Sequence, residues 1–154
     1  MITMTHADPY HLLPDPETQP GFYADVPFKR LVAFFIDSVL ITAMTLAAVI
    51  ATLGFAALLF VFLAAVIGFL YRVFTLANRS ATWGMALMGI ELRRIDGERF
   101  TFADATLHTL SFYISFAMMP VQAISIAFMV MGRRGQGLTD MLFGTVALNR
   151  RARA

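Results

Sequence analysis

The sequence predicts an all-α membrane protein: a transmembrane helical hairpin, then a third hydrophobic segment that is broken at a proline or re-enters, with a short cytoplasmic β-hairpin in the connector. Two observations lead to this class. Three long apolar runs cover residues 28–50, 55–76 and 105–131, and nearly all charge is confined to their flanks. With 58% hydrophobic and 14% charged residues, a chain of 154 residues has too little polar surface for a water-soluble globule, in which about a quarter of residues are charged. One compact domain is expected over residues 28–148, preceded by a tail over 1–27 and followed by a basic tail over 149–154.

The tail over residues 1–27 holds five of the six prolines, Pro9, Pro14, Pro16, Pro20 and Pro27, among scattered acids. That composition predicts extended, disordered chain. A cleaved signal peptide is not expected, because no Lys or Arg precedes Lys29 and the apolar run that follows is too long for a signal core.

The run over 28–50 is long enough to cross the roughly 30 Å hydrocarbon core as one helix. It carries a single acid, Asp37, beyond a basic entrance at Lys29 and Arg30. A helix rises about 1.5 Å per residue, which sets Asp37 deep in the bilayer. An ionisable side chain at that depth is costly and marks a functional-site candidate. The turn that follows is expected near Thr52. No charged residue lies between Asp37 and Arg72, so the hairpin closes on the uncharged side with both open ends on the other. Ala43, Ala47 and Ala51 on the first helix, with Ala64 and Gly68 on the second, recur at four-residue spacing that allows close backbone approach.

Residues 77–102 interrupt the apolar pattern. Asp96-Gly97 is the favoured pair for a tight hairpin turn, so residues 89–102 are expected to fold as two short paired strands. Arg79, Arg93, Arg94 and Arg99 in this connector mark the cytoplasmic face by the positive-inside rule, which leaves the N-terminus cytoplasmic too. Thr101 with Asp104 matches a capping box and starts the third run. Crossed as one helix, that run would carry the arginines that follow, Arg133, Arg134, Arg150, Arg151 and Arg153, to the outer side, against the same rule. A bend at Met119-Pro120 with return to the cytoplasmic side removes the conflict. Residues 138–148 are too few to span and are expected at the interface, with Asp140 just below the bilayer.

The candidate charge network is Arg30, Asp37, Arg72 and Asp140. Arg30 and Asp37 share a helical face but differ in height by about 10 Å, too far for a direct pair. Arg72 on the second helix lies closer to the level of Asp37, so the expected pairs are Asp37 with Arg72 and Asp140 with Arg30. His108 is a candidate proton relay at the start of the third run, weighed against a merely solvated interfacial histidine. Paired charges inside a membrane also serve simply to fix helix register, and that reading competes with ion or proton handling.

Other chemistries have no support. Catalytic motifs such as HExxH, GxSxG or a Gly-rich phosphate loop are missing, so no enzyme and no cofactor are expected. There is no cysteine, and the ten methionines lack the tight cluster with His that a Cu(I) site needs, so no metal is expected. The net charge of +2 resides in arginines that flank apolar runs and form no groove with stacking aromatics, which argues against nucleic acid. The expected partners are the lipid bilayer, further copies of the chain or other membrane proteins.

The stretches FKRLVAFFID, TWGMALMGIELRRIDGERFTFADA and GQGLTDMLFGT together resemble the RDD family of small integral membrane proteins, named for one arginine and two aspartates. On this chain those residues are Arg30, Asp37 and Asp140. Two departures stand out: His108 occupies the segment where members often carry an arginine, and Thr139 precedes the second aspartate where they often carry a histidine. The resemblance implies an inner-membrane, multi-pass protein, with ion or proton-coupled transport as one activity linked to members and assembly of larger membrane complexes as another.

Overall fold

A computed structural model describes residues 9–150. The architecture is mainly helical with one small antiparallel sheet. Helix α1 (Val26–Ala51) and helix α2 (Phe60–Arg79) form the hairpin. The chain reverses through Leu53 and Gly54, both with positive φ, followed by a 3-10 turn over Phe55–Leu59. Gly54 relieves the strain that a left-handed residue would otherwise carry there. Both helices are long and apolar enough to cross a membrane. Phe35, Val39, Leu46 and Ile50 on α1, and Val61, Phe62, Leu70 and Phe74 on α2, point outward. Apolar surface on that scale suits lipid rather than water.

The contact between α1 and its neighbours runs along Ala33, Asp37 and Thr45, spaced at multiples of four. The alanine ladder expected to make this seam does not, since Ala43, Ala47 and Ala51 are exposed. Gly68 does mark a close approach. A Cβ there would stand 3.3 Å from the Ile41 side chain on α1 and 2.6 Å from the Tyr113 hydroxyl.

Helix α3 (Trp83–Leu87) is a single turn lying on α1, capped by Thr82, whose hydroxyl accepts from Met85 N. Strand β1 (Ile90–Arg94) follows. The Asp96-Gly97 turn forms, with Gly97 at φ +78° and its N–H donating to Arg94 O. The expected local hairpin does not. Strand β1 pairs instead with β2 (Thr145–Asn149), antiparallel, with Ile90 opposite Asn149 and Arg94 opposite Thr145. The other edge of β1 keeps one bond across the turn, Arg94 N to Glu98 O at 3.0 Å, and Ser80 takes the rest: its carbonyl accepts from Leu92 N, and its hydroxyl accepts from Phe100 N.

Helix α4 (Phe102–Ala117) starts at the expected capping box, with Asp104 N donating to Thr101 Oγ1 at 3.2 Å and Thr101 N to Asp104 Oδ2 at 2.8 Å. Helix α5 (Met119–Met131) follows after a bend of 116°. Pro120 lacks an N–H and its ring blocks the carbonyl a turn earlier, so the helix cannot continue. Ser115 and Gln122 hydrogen-bond across the bend at 2.9 Å. The third run is therefore broken, as the proline predicts, and the chain turns back. Leu138 N donates to Ser125 on α5, and helix α6 (Leu138–Phe143) settles against α4 and α5 before β2.

The expectation of a disordered tail over 1–27 is corrected for its described part. Leu13 and Tyr23 are buried with Val146 and Leu148 on one face of β2. The Tyr23 hydroxyl donates to Pro14 O, and Asn149 Nδ2 donates to both Gly21 O and Ala24 O. Apolar side chains scattered among prolines thus find a partner surface that sequence order does not reveal. Residues 1–8 of that tail, and 151–154 of the basic C-terminal tail, lie outside the described residues. The main core lies on the other side of the sheet, where Ile90, Leu92 and Ala147 meet Val26, Val73, Leu76, Phe100 and Ala105.

Candidate functional site

Among the described residues two carboxylates are wholly buried, Asp37 at 1% and Asp140 at 0% exposure. Their surroundings differ in kind. Asp140 sits in the first turn of α6, where its Oδ2 accepts from Gly137 N at 3.0 Å and so closes the start of that helix. The same oxygen pairs with Arg30 of α1 at 2.5 Å. The other oxygen faces His108 Nε2 of α4 at 3.0 Å and accepts from the Thr145 hydroxyl of β2 at 3.1 Å. Burial alone would push this carboxyl up, but the Arg30 guanidinium and the His108 ring beside it hold it well below the usual carboxylate range. An ionised Asp140 accepts, so the proton of the His108 contact resides on Nε2. His108 is itself buried, against the edge of Phe100, and not the solvated interfacial histidine that sequence order leaves open.

Asp37 receives neutral donors. Tyr71 Oη donates to Oδ1 at 2.7 Å, Gly84 N donates to the same oxygen at 2.9 Å, and Thr82 Oγ1 donates to Oδ2 at 2.6 Å. Among the described residues, no cation forms an ion pair with it. The expected Asp37–Arg72 pair is therefore corrected. Neighbouring residues on a helix point about 100° apart. With Tyr71 facing α1, Arg72 is turned toward α4, where its guanidinium lies over the Phe112 ring at 4.8 Å and near Phe34 at 6.0 Å. Aromatic faces attract a cation without a carboxylate.

Gly84 is what lets α3 reach Asp37. A Cβ at that position would stand 2.3 Å from Ala33 O and 2.9 Å from Asp37 Oδ1, so only glycine brings the Gly84 N–H within hydrogen-bond distance. Thr82 serves twice, as the cap of α3 and as donor to Asp37. Tyr71 likewise accepts from Trp83 N at 3.0 Å while donating to Asp37. Of the sequence candidates, then, Arg30, His108 and Asp140 come together, Asp37 stands apart with Tyr71, Thr82 and Gly84, and Arg72 joins neither carboxylate. The three donors to Asp37 were missed in sequence. The signal available was the run Ala81-Thr82-Trp83-Gly84, a cap residue and a glycine directly after a helix end.

The sequence matches the RDD family over residues 25–144, most of the chain. The chain belongs to the RDD family. Arg30, Asp37 and Asp140, the residues at the centre of the two buried clusters just described, all lie within the matched stretch. Comparison with curated proteins and with solved structures gives no match. Membership in the RDD family, together with the two long apolar helices, fits an integral membrane protein.

The Asp37 cluster separates two substitutions. Asn retains an acceptor for Tyr71 and Gly84, and its amide can donate to Thr82 Oγ1, whereas Ala leaves the buried donors unmatched at about 1–3 kcal/mol each. Asp37→Ala is expected to lower the melting temperature in detergent far more than Asp37→Asn, and equal losses would overturn this account.

The lowered Asp140 carboxyl makes stability depend on pH. A depressed folded value contributes stability that is complete above about pH 4, the unfolded value, and is lost as pH falls toward the folded one. Arg30→Gln removes the guanidinium that helps hold the folded carboxyl low, so the variant should lose most stability at neutral pH and depend less on acid than wild type below about pH 4. Melting curves in detergent at neutral pH and at pH 3 read that difference, and an equal deficit at both pH values contradicts it.

Proposed function

We propose that this RDD-family chain is a multi-pass protein of the inner membrane that handles a proton or small cation at Asp37. The observation that carries this reading is the contrast between the two buried carboxylates. Asp140 has Arg30 and His108 to balance it, but Asp37, among the described residues, has only neutral donors. A carboxylate deep in an apolar span with no protein cation is balanced by what it binds from outside. Uptake of a proton at Oδ2 turns that oxygen from acceptor into donor toward Thr82 Oγ1. The Thr82 hydrogen must then point elsewhere. Because Thr82 also caps α3, a change of charge at Asp37 acts directly on how α3 rests against α1. One small chain leaves little room for a complete path, so the working unit in this reading contains several copies, and no catalysis or cofactor is involved.

The arrangement of charge supports the orientation. Lys29 and Arg30 at the start of α1, Arg79 at the end of α2, and Arg93, Arg94 and Arg150 around the sheet gather at one end of the hairpin, and the other end, over residues 38–71, carries no charge. The bent α4–α5 pair returns Asp140 to Arg30, which favours a C-terminal segment on that same basic side. That side is cytoplasmic by the positive-inside rule.

A second reading has its own support. The donors to Asp37 come from α2, from the segment leading into α3 and from α3 itself, an arrangement that clamps those elements onto α1. In this reading the chain is a non-transporting scaffold or assembly partner whose buried charges hold the fold.

Orientation is tested by fusing green fluorescent protein or alkaline phosphatase to the C-terminus. Fluorescent cells with an inactive phosphatase are the expected result, and the reverse pattern contradicts a cytoplasmic C-terminus. Activity is tested in proteoliposomes holding a pH-sensitive dye, challenged with H⁺, Na⁺ and K⁺ gradients. Wild type is expected to support ion-dependent flux that falls to background in folded Asp37→Asn. Absence of flux under every gradient selects the scaffold reading.

A further inference from the structure

A second polar feature lies away from both aspartates. At the end of α2 and along the outward face of β1, Asn78, Arg79, Glu91, Arg93, Arg99 and Arg150 line an open cavity of about 590 Å³. Four arginines and one carboxylate line it. Glu91 positions two of them: its Oε1 accepts from Arg93 Nε at 2.8 Å and its Oε2 from Arg150 Nε at 3.1 Å. Arg150 is further anchored by its own N–H to Gly89 O. Arg79 lies over the ring of Trp83 at 4.9 Å. Among the described residues, neither Arg79 nor Arg99 forms an ion pair with a carboxylate. The cavity therefore keeps an excess of three positive charges, partly pre-ordered by Glu91 and by the indole.

We propose that this cavity binds the phosphate group of an anionic ligand. Converging guanidinium forks match phosphate oxygens in geometry as well as charge. The site lies where the apolar run of α2 stops, beside the half-exposed Trp83, a residue type that settles at headgroup depth. An acidic phospholipid headgroup reaches that level from the bilayer, and basic pockets at this depth hold such headgroups. Free phosphate from solution offers the same oxyanion. The site does not depend on whether ions pass Asp37.

Trp83 is the sole tryptophan and stacks on a lining arginine, so its fluorescence reports on the cavity. The full chain in neutral detergent is titrated with short-chain phosphatidylglycerol, with phosphatidylcholine of the same chain length, and with inorganic phosphate. Native mass spectrometry of the same samples counts bound lipid. Saturable binding of phosphatidylglycerol, with none of phosphatidylcholine, is the expected result. Arg99→Gln, which breaks no side-chain hydrogen bond or ion pair among the described residues, should weaken it about five- to tenfold, and Arg133→Gln outside the cavity should not. If millimolar phosphate displaces the lipid or binds alone, the site takes the free anion as well; if it does neither, the lipid headgroup is the source. No saturable binding of either ligand, or equal affinity in wild type and Arg99→Gln, overturns the proposal.

Discussion

A carboxylate with no exposed surface must be matched on both oxygens, and meeting that requirement at Asp140 ties together elements that are far apart in sequence. Arg30 comes from the start of α1, His108 from α4, Thr145 from β2, and the Gly137 N–H from the start of α6. For all four to converge, the third apolar run must turn back on itself, and the bend before Pro120 allows that. The return in turn delivers residues 145–149 to the free edge of β1. The sheet, the folded N-terminal segment and the core beneath them all follow from where α6 is held. Breaking one member of such a cluster leaves uncompensated charge in a closed site, a larger penalty than the cluster's net worth.

Asp37 serves α1, α2 and α3 in a comparable way but with neutral donors. That difference gives the two acids separate characters within one domain. Asp140 is balanced internally and makes a fixed joint. Asp37 accepts three hydrogen bonds from neutral groups and has no ion-pair partner among the described residues, and two of its donors are themselves shared: Thr82 with the α3 cap, Tyr71 with the Trp83 N–H. A change at Asp37 therefore propagates into the contact between α1 and α3, where Gly84 leaves no slack against Ala33.

Much of this was legible in the sequence because it depends on local rules. The lengths of the apolar runs, the turn near Thr52, the Thr101–Asp104 cap and the break at Pro120 are consequences of hydrophobicity and backbone chemistry within a few residues. The Arg30–Asp140 contact was also expected, since a returning chain brings the second aspartate to the basic entrance of the first helix. The Asp37–Arg72 pairing failed for a geometric reason: depth along the helix was matched, but direction around it was not, and Tyr71 held the facing position. Similarly, Asp96-Gly97 formed its turn, but the strand expected after it stopped at a single bond, because Ser80 engages the edge of β1 it would have used, and β2, fifty residues on, pairs with the opposite edge.

By itself the sequence determined where apolar helices run, where they stop, and which side carries the positive charge, because each is set by the solvation of consecutive residues. Only the tertiary structure decided which donors meet Asp37, which cavity the arginines of the connector share, and why Leu13 and Tyr23 are ordered against β2. Those outcomes rest on the rotation of one element about its axis relative to another, and on contacts between segments more than a hundred residues apart. Hydropathy and periodicity carry neither kind of information.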